Sequence, residues 1–309
     1  MLGLRETFTY LKCGDCGCLQ IESNPANLHE YYPREYYSYQ WSPFRNTVRR
    51  MLIQVYFGKL GFLRPLSRKI GLTSLIFESI SKIVPAKTSR ILDVGSGRGE
   101  MLLGLHAVGF TNLLGIDPFL DRSELLGGVR LLKAQLSSLS LPFKFDLIIF
   151  NHSFEHIWNQ LQTLVEAKAN LAVGGTILIR VPVLGRAFFV YGENAWTIDA
   201  PRHFYVHTLK SMTTLASAAG LRIVSYYFDS EGDQFEWSSL YARDIAMSEV
   251  KALGMKRAFR TLTLPPYRRL RHLAERLNNE GEGDQAVFYL RTCPPSQNVL
   301  AEHATTPRV

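Results

Sequence analysis

The run Ile91-Leu92-Asp93-Val94-Gly95-Ser96-Gly97-Arg98-Gly99-Glu100, followed by Gly115-Ile116-Asp117 at the end of a second apolar stretch, limits the folds open to this chain more than any other segment. Ile91 to Val94 is β-branched and apolar enough for a buried strand, and three glycines on alternate positions then let the backbone turn tightly against a ligand. Met101 to Val108 continues at helical spacing. Strand, glycine turn, helix, second strand and an acidic residue at its carboxyl end follow in the order that a βαβ cofactor site requires.

The glycines discriminate between cofactors. A dinucleotide fingerprint, G-x-G-x-x-G, places its third glycine where the helix amino terminus meets a pyrophosphate, and counting from Gly95 that position is Glu100. A carboxylate there repels a pyrophosphate, which disfavours NAD and FAD. The pattern is instead Asp-x-Gly-x-Gly-x-Gly, and Asp93 to Gly99 resembles the first motif of the class I S-adenosylmethionine-dependent methyltransferases. The resemblance implies S-adenosylmethionine as cofactor, with the turn Gly95, Ser96, Gly97 and Gly99 against its methionine part. It further implies that Asp93 lies near the ammonium group, directly or through water, and that Asp117, with Pro118 next to it, accepts hydrogen bonds from both ribose hydroxyls.

Phe145 to Phe150 reads as another buried strand, and Asn151-His152-Ser153-Phe154-Glu155-His156-Ile157 after it resembles the fourth motif of the same family. That resemblance assigns Asn151 and His152 to the cofactor. The Glu-His form is similar to the branch acting on quinone precursors, small molecules and sugars. Base-amino methyltransferases carry Asn/Asp-Pro-Pro-aromatic here, and no such prolines are present, which counts against nucleic acid. The third-strand region, Leu132-Lys133-Ala134-Gln135-Leu136-Ser137, lacks the acidic residue many relatives use for adenine; Gln135 and Leu136, or a backbone amide, are the substitutes.

Leu161, Leu164, Val165 and Leu171 predict an amphipathic helix over Asn159 to Ala172, ended by Gly174-Gly175. Thr176 to Val181 is then a fifth strand stopped by Pro182, Thr208 to Ala219 a helix with Gly220 as C-cap, Leu221 to Phe228 a sixth strand and Gln285 to Arg291 the last. The resembled fold is a Rossmann-like, doubly wound α/β architecture whose seven-stranded sheet has the order 3-2-1-4-5-7-6. The chain accordingly divides into an extension over 1–85, a methyl-transfer domain over 86–293 with a helical insertion over 230–284, and a loose tail over 294–309. Pro265-Pro266 should break the insertion into at least two pieces.

A length of 309 residues with 46% hydrophobic content suffices for one α/β core with additions. No apolar stretch approaches the roughly 20 residues that cross a bilayer, and Met1 to Lys12 is charged where a signal peptide is apolar, so a cytoplasmic location is expected. The formal charge of +8 concentrates in two stretches: Arg45, Arg49, Arg50, Lys59, Arg64, Arg68 and Lys69, and nine Lys and Arg residues between Arg243 and Arg276. They suit phosphate-bearing ligands, peripheral contact with an anionic membrane, or RNA; the plainer reading is two helices with solvated charged faces. Cys13-x-x-Cys16-Gly17 looks like one knuckle of a zinc ribbon, and in the resembled methyltransferases such a ribbon has two Cys pairs. Here a missing pair would lie before Met1, or the ribbon has decayed, or Cys18 and His29 complete an unusual site; the alternative is free thiols. No metal is assigned. The Tyr-rich segment Tyr31-Tyr32-Pro33-Arg34-Glu35-Tyr36-Tyr37 suits a lid or ordinary packing.

Methyl transfer is an in-line displacement that also removes a proton from the acceptor. His152, His156, His203 and His207 fall where strands end or where the resembled family places its acceptor. His203 is the first choice for general base, with Asp199 as its partner, Arg202 as a clamp for a phosphate or carboxylate, and His156 as a second candidate. Each has a structural alternative, pinning a loop or capping a helix. The expected partner is a small-molecule acceptor, phosphate- or carboxylate-bearing if Arg202 clamps it; oligomeric state stays open. Two other readings remain: an RNA methyltransferase, and a catalytically silent binder of S-adenosylmethionine acting as a partner subunit.

Overall fold

The computed structural model describes residues 6–32, 53–65, 74–83, 85–246, 249 and 265–293. Near the amino terminus β1 (Tyr10–Lys12) and β2 (Leu19–Ile21) form an antiparallel hairpin. After helix α1 (Leu75–Ile83), the glycine turn separates β3 (Arg90–Val94) from α2 (Glu100–Ala107), and β4 (Asn112–Ile116) returns parallel to β3. β5 (Glu124–Leu126) and β6 (Val129–Leu132) follow as a hairpin, then β7 (Phe145–Asn151), α3 (Gln160–Ala169) and β8 (Leu171–Pro182). The remainder comprises α4 (Arg186–Tyr191), β9 (Tyr205–Val206), α5 (Leu209–Ala218), β10 (Leu221–Phe228), α6 (Asp233–Tyr241), α7 (Pro265–Glu280) and β11 (Gln285–Thr292).

The central sheet has the order β10-β11-β8-β7-β3-β4-β6-β5. Its first seven members reproduce the expected 3-2-1-4-5-7-6 arrangement, with β11 antiparallel between β8 and β10. The sheet nevertheless has eight strands rather than seven, because β5 adds an antiparallel edge to β6 through Gly127-Gly128, both at positive φ. Two such residues make the tight turn that matches strand twist.

Successive side chains of a strand face opposite sides, and both sides of this sheet are apolar. Leu92 and Val94 of β3 join one core with Phe150, Leu164 and Ala167 of α3, and Met212 and Ala216 of α5. Ile91 joins the other, with Leu102 and Leu105 of α2, Phe77 and Ile80 of α1, and Ile53 from a helical turn over 53–57. Helices therefore cover both faces. Full burial of each Leu, Ile, Val, Phe or Met side chain among these contributes roughly 1.5–3 kcal/mol.

Two features differ from expectation. α3 ends at Ala169, and Leu171 and Ala172 already belong to β8, so Gly174-Gly175 lie within a strand and not at a helix end. Gly174, at φ +77°, sits where the β7–β8 register shifts between Phe145↔Leu171 and Leu147↔Thr176, and this bulge absorbs the extra residues. As expected, the insertion holds at least two separate helical pieces, α6 and α7, and Pro265-Pro266 opens the second, since a helix's first turn has no intrahelical use for the N–H that proline lacks. The amino-terminal hairpin does not stand apart: β2 pairs with β9, making a three-stranded sheet β1-β2-β9 against the loop that follows α4. Tyr36 and Tyr37, the basic residues Arg45, Arg49, Arg50, Arg68, Lys69, Lys251, Lys256, Arg257 and Arg260, the side chains of His29 and Arg268, and the tail from Pro294 lie outside the described residues.

Candidate active site

The turn after β3 is fixed by its own hydrogen bonds. The Gly95 and Ser96 amides both donate to the Ile116 carbonyl, at 2.8 and 3.1 Å, and Gly97 N–H donates to Asp117 Oδ2 at 2.9 Å. Asp117 Oδ1 accepts from Phe119 N–H at 2.8 Å, so this carboxylate ties the glycine turn to the end of β4. Each oxygen keeps a further lone pair. Gly95 has φ +78°, and a Cβ there would stand 2.4 Å from Ser153 Cβ; only glycine fits. Gly99, at φ +70°, is the N-cap of α2.

Asp93 is 4% exposed and Asp117 5%. Burial, together with the like charge of Asp117, pushes Asp93 up to about 8. Asp117 is raised by burial and held back by its two amides. No described side chain or amide bonds to the Asp93 carboxylate, so the site holds a buried acid that a cation would stabilise.

Both acids line one cavity of about 1030 Å³, within the range of small-molecule and cofactor sites. Gly95, Ser96, Gly97, Pro118, Gln135, Leu136, Asn151 and His152 line it as well; Gly99 does not, and acts through α2 instead. Above the β4 end, Phe119 stacks on Tyr32 with ring centroids 5.1 Å apart and planes at 14°. Sequence reasoning missed Phe119. At the far end stand Arg180, Trp196, Glu231, Asp233 and Trp237, three of them from the start of the insertion. Arg180 donates to Asp229 at 2.6 Å and to His152 Nε2 at 2.6 Å. Burial and that guanidinium hold His152 down to about 3.

The other expected residues gather behind the wall formed by His156. His156 lines the cavity, whereas His203, Asp199 and Arg202 are buried beyond it. Ring centroids of His156 and His203 are 5.0 Å apart. His203 Nε2 is 3.7 Å from Asp199 Oδ2 and 4.0 Å from Glu155 Oε1. Burial lowers both His156 and His203 to about 4, against the opposing pull of Glu155. Arg202 corrects the clamp expectation: its guanidinium is buried, bonded to Asp199 and stacked 5.9 Å from the Tyr32 ring centroid, so it does not offer itself to a ligand phosphate. His207 has a structural role, with Nδ1 on Ser211 Oγ at 2.9 Å and Nε2 on Gln160 Oε1 at 2.8 Å.

Cys13, Cys16 and Cys18 occupy the β1–β2 turn, where Gly17 N–H donates to the Cys13 carbonyl and Cys13 N–H to that of Cys18. The amides of Cys16 and Asp15 lower the Cys13 thiol. Cys18 Sγ lies 3.8 Å from His207 Nδ1. Among the described residues, three ligating groups converge closely at Glu155, His156 and His203, and not at these cysteines.

A model of the methyltransferase domain matches residues 69–226. No curated protein matches the chain significantly. Solved structures that resemble it include the YcgJ protein from Bacillus subtilis, at 16% identity and a TM-score of 0.40 over 66% of this chain and 91% of that one. Another is StiE O-MT, residues 961–1257 of its parent, at 15% identity and a TM-score of 0.41 over 67% of this chain and 69% of that one. The CcbJ methyltransferase from Streptomyces caelestis aligns at 11% identity and a TM-score of 0.39, over 68% and 85%. Likenesses this distant carry no argument about chemistry.

Proposed function

The chain belongs to the methyltransferase-domain family, whose model spans just over half of it, and from that membership we propose that it methylates an O, N or C atom of a small hydroxylated molecule such as a sugar, using S-adenosylmethionine. The observation that carries this reading is the pair Asp93 and Asp117 in one cavity with the glycine turn between them. S-Adenosylmethionine, when bound, supplies an electrophilic methyl group on a sulfonium sulfur. The residues present fit such a cation: Asp93 is a buried carboxylate without a counter-charge, and Asp117 retains lone pairs for two sugar hydroxyls. Gln135 and Leu136 border the end of the cavity next to Asp117 in the β4–β6 half of the sheet, where they suit a nucleobase edge.

Positioning does most of the work, since near-attack orientation can supply on the order of 7–11 kcal/mol. Trp196 and Trp237 offer flat apolar faces, and Glu231, Asp233 and Gln234 offer acceptors and a donor, a combination that suits hydroxyl groups on a ring. The carboxylates, with Arg180 committed to Asp229, disfavour an anionic acceptor. The acceptor proton leaves through the cluster of Glu155, His156, His203 and Asp199, which meets the cavity at His156.

The test is transfer of label from methyl-labelled S-adenosylmethionine into a small-molecule cell extract, beside calorimetry of the cofactor alone. Micromolar binding and a labelled low-molecular-weight product are expected. Absence of binding overturns the cofactor assignment, and binding without any labelled product overturns the enzyme in favour of a silent binder.

A further inference from the structure

We infer that Glu155, His156 and His203 form a site for a divalent first-row transition cation, zinc being the ion their donor set suits best. One ligating atom from each lies within 4.8 Å of the other two. The orientation of the rings turns this proximity into a site. His156 places Nδ1 at 2.8 Å from the Arg202 carbonyl, and His203 places Nδ1 at 2.7 Å from the Thr197 carbonyl. A carbonyl can only accept, so each ring carries its hydrogen on Nδ1 and keeps a bare lone pair on Nε2. A backbone carbonyl holding the far nitrogen is how metal-bound histidines are oriented.

Glu155 supplies the anion. It is 1% exposed, and neither of its carboxylate oxygens accepts a hydrogen bond among the described residues. Its nearest charged or polarisable neighbours are His203 Nε2 at 4.0 Å and His152 Nδ1 at 3.4 Å from Oε1. His152 is neutral there, because its Nε2 accepts from Arg180. The Arg202–Asp199 pair cancels internally, so one unbalanced negative charge remains beside two imidazole lone pairs. Burying such a set without a positive centre is costly, and a bound cation removes the cost.

Three protein ligands with access from the cavity at His156 leave a coordination position open, the composition of a reactive metal centre and not of a closed structural one. A hydroxyl of the acceptor in that position becomes more acidic and, with both imidazole lone pairs engaged by the ion, loses its proton to water in the cavity in place of the histidines. This role rests on the proposed methyl transfer; the binding of the ion does not.

The experiment uses the full chain, stripped with a chelator and titrated with Co²⁺ alone while its absorption is followed. One equivalent is expected, giving ligand-field bands without the near-ultraviolet charge-transfer band of a thiolate. Glu155→Gln and His156→Ala should each weaken binding by tenfold or more, whereas a Cys13→Ser/Cys16→Ser double variant should bind as the parent does. Calorimetry with S-adenosylmethionine shows which variants retain their fold, and its failure in the parent would overturn the methyl-transfer reading without touching the metal. Failure to bind Co²⁺, a thiolate band lost in the double Cys variant, or unchanged affinity in folded Glu155→Gln and His156→Ala overturns the site.

Discussion

At the scale of single residues the molecule turns on two carboxylates with different tasks. Asp117 receives two backbone amides, so its loss unties Gly97 from β4 and, in the proposed cofactor site, also removes acceptors for the sugar hydroxyls. Hydrogen bonds to a charged acceptor contribute about 1.5–3 kcal/mol; Asp117→Ala should therefore weaken S-adenosylmethionine binding by about one to two orders of magnitude in calorimetry. Asp93 behaves otherwise. Its folded pKa of about 8 exceeds the unfolded value of 3.8, so the folded state holds the extra proton between those values. Stability of the ligand-free protein should then fall as pH rises from about 4 to 8. Asp93→Asn should flatten that slope in urea melts at pH 5, 6.5 and 8, while abolishing cofactor binding. Both acids were legible in the sequence because they sit at strand ends in a fixed pattern. The placing of His203 behind His156 was not, because burial of a loop residue depends on distant partners such as Tyr10, whose hydroxyl reaches the His203 carbonyl from the amino-terminal hairpin.

Elements show the same division between local and distant causes. Gly95 is required by a positive φ and by Ser153, so Gly95→Ala should disorder the turn and reduce cofactor binding at least tenfold, seen by calorimetry on protein that still melts cooperatively. α5 begins with a capping box in which Thr208 accepts from Ser211 N–H and the Ser211 hydroxyl accepts from Thr208 N–H. The Thr208 hydroxyl also donates to the Cys16 carbonyl at 2.7 Å. Thr208→Ala should cost about 1 kcal/mol in denaturant unfolding, with little effect on the cofactor. The strands β3, β4 and β7 could be read from runs of buried apolar residues, and β10 from its β-branched and aromatic composition. The Gly127-Gly128 hairpin carried an equally local signal, two glycines between Leu125-Leu126 and the alternating Val129-Arg130-Leu131, that the motif-led reading passed over. The Gly174-Gly175 bulge carried none, since two glycines after a helix end it far more often than they interrupt a strand.

For the molecule as a whole, the sheet supplies the floor of the site while its additions supply much of the wall. Asn24, Leu28 and Tyr32 come from the amino-terminal extension and Glu231, Asp233 and Trp237 from the insertion, neither of which resembles the motif-bearing core. Such pieces acquire meaning only on packing, which is why their purpose was not legible. Trp237→Ala should raise the KM for the acceptor by roughly tenfold, as expected for a lost aromatic contact, and leave the Kd for S-adenosylmethionine unchanged. The amino-terminal hairpin reaches further than its size suggests. Tyr10 Oη donates to the His203 carbonyl at 2.6 Å, Ile21 N–H to that of Phe204 at 2.9 Å, and Cys16 receives Thr208. It therefore works as a splint, strapped along the segment from His203 to Thr208. Trimming away this splint should spare the Rossmann-like floor and its grip on nucleoside, yet leave the histidine shelf to sag out of alignment and silence turnover.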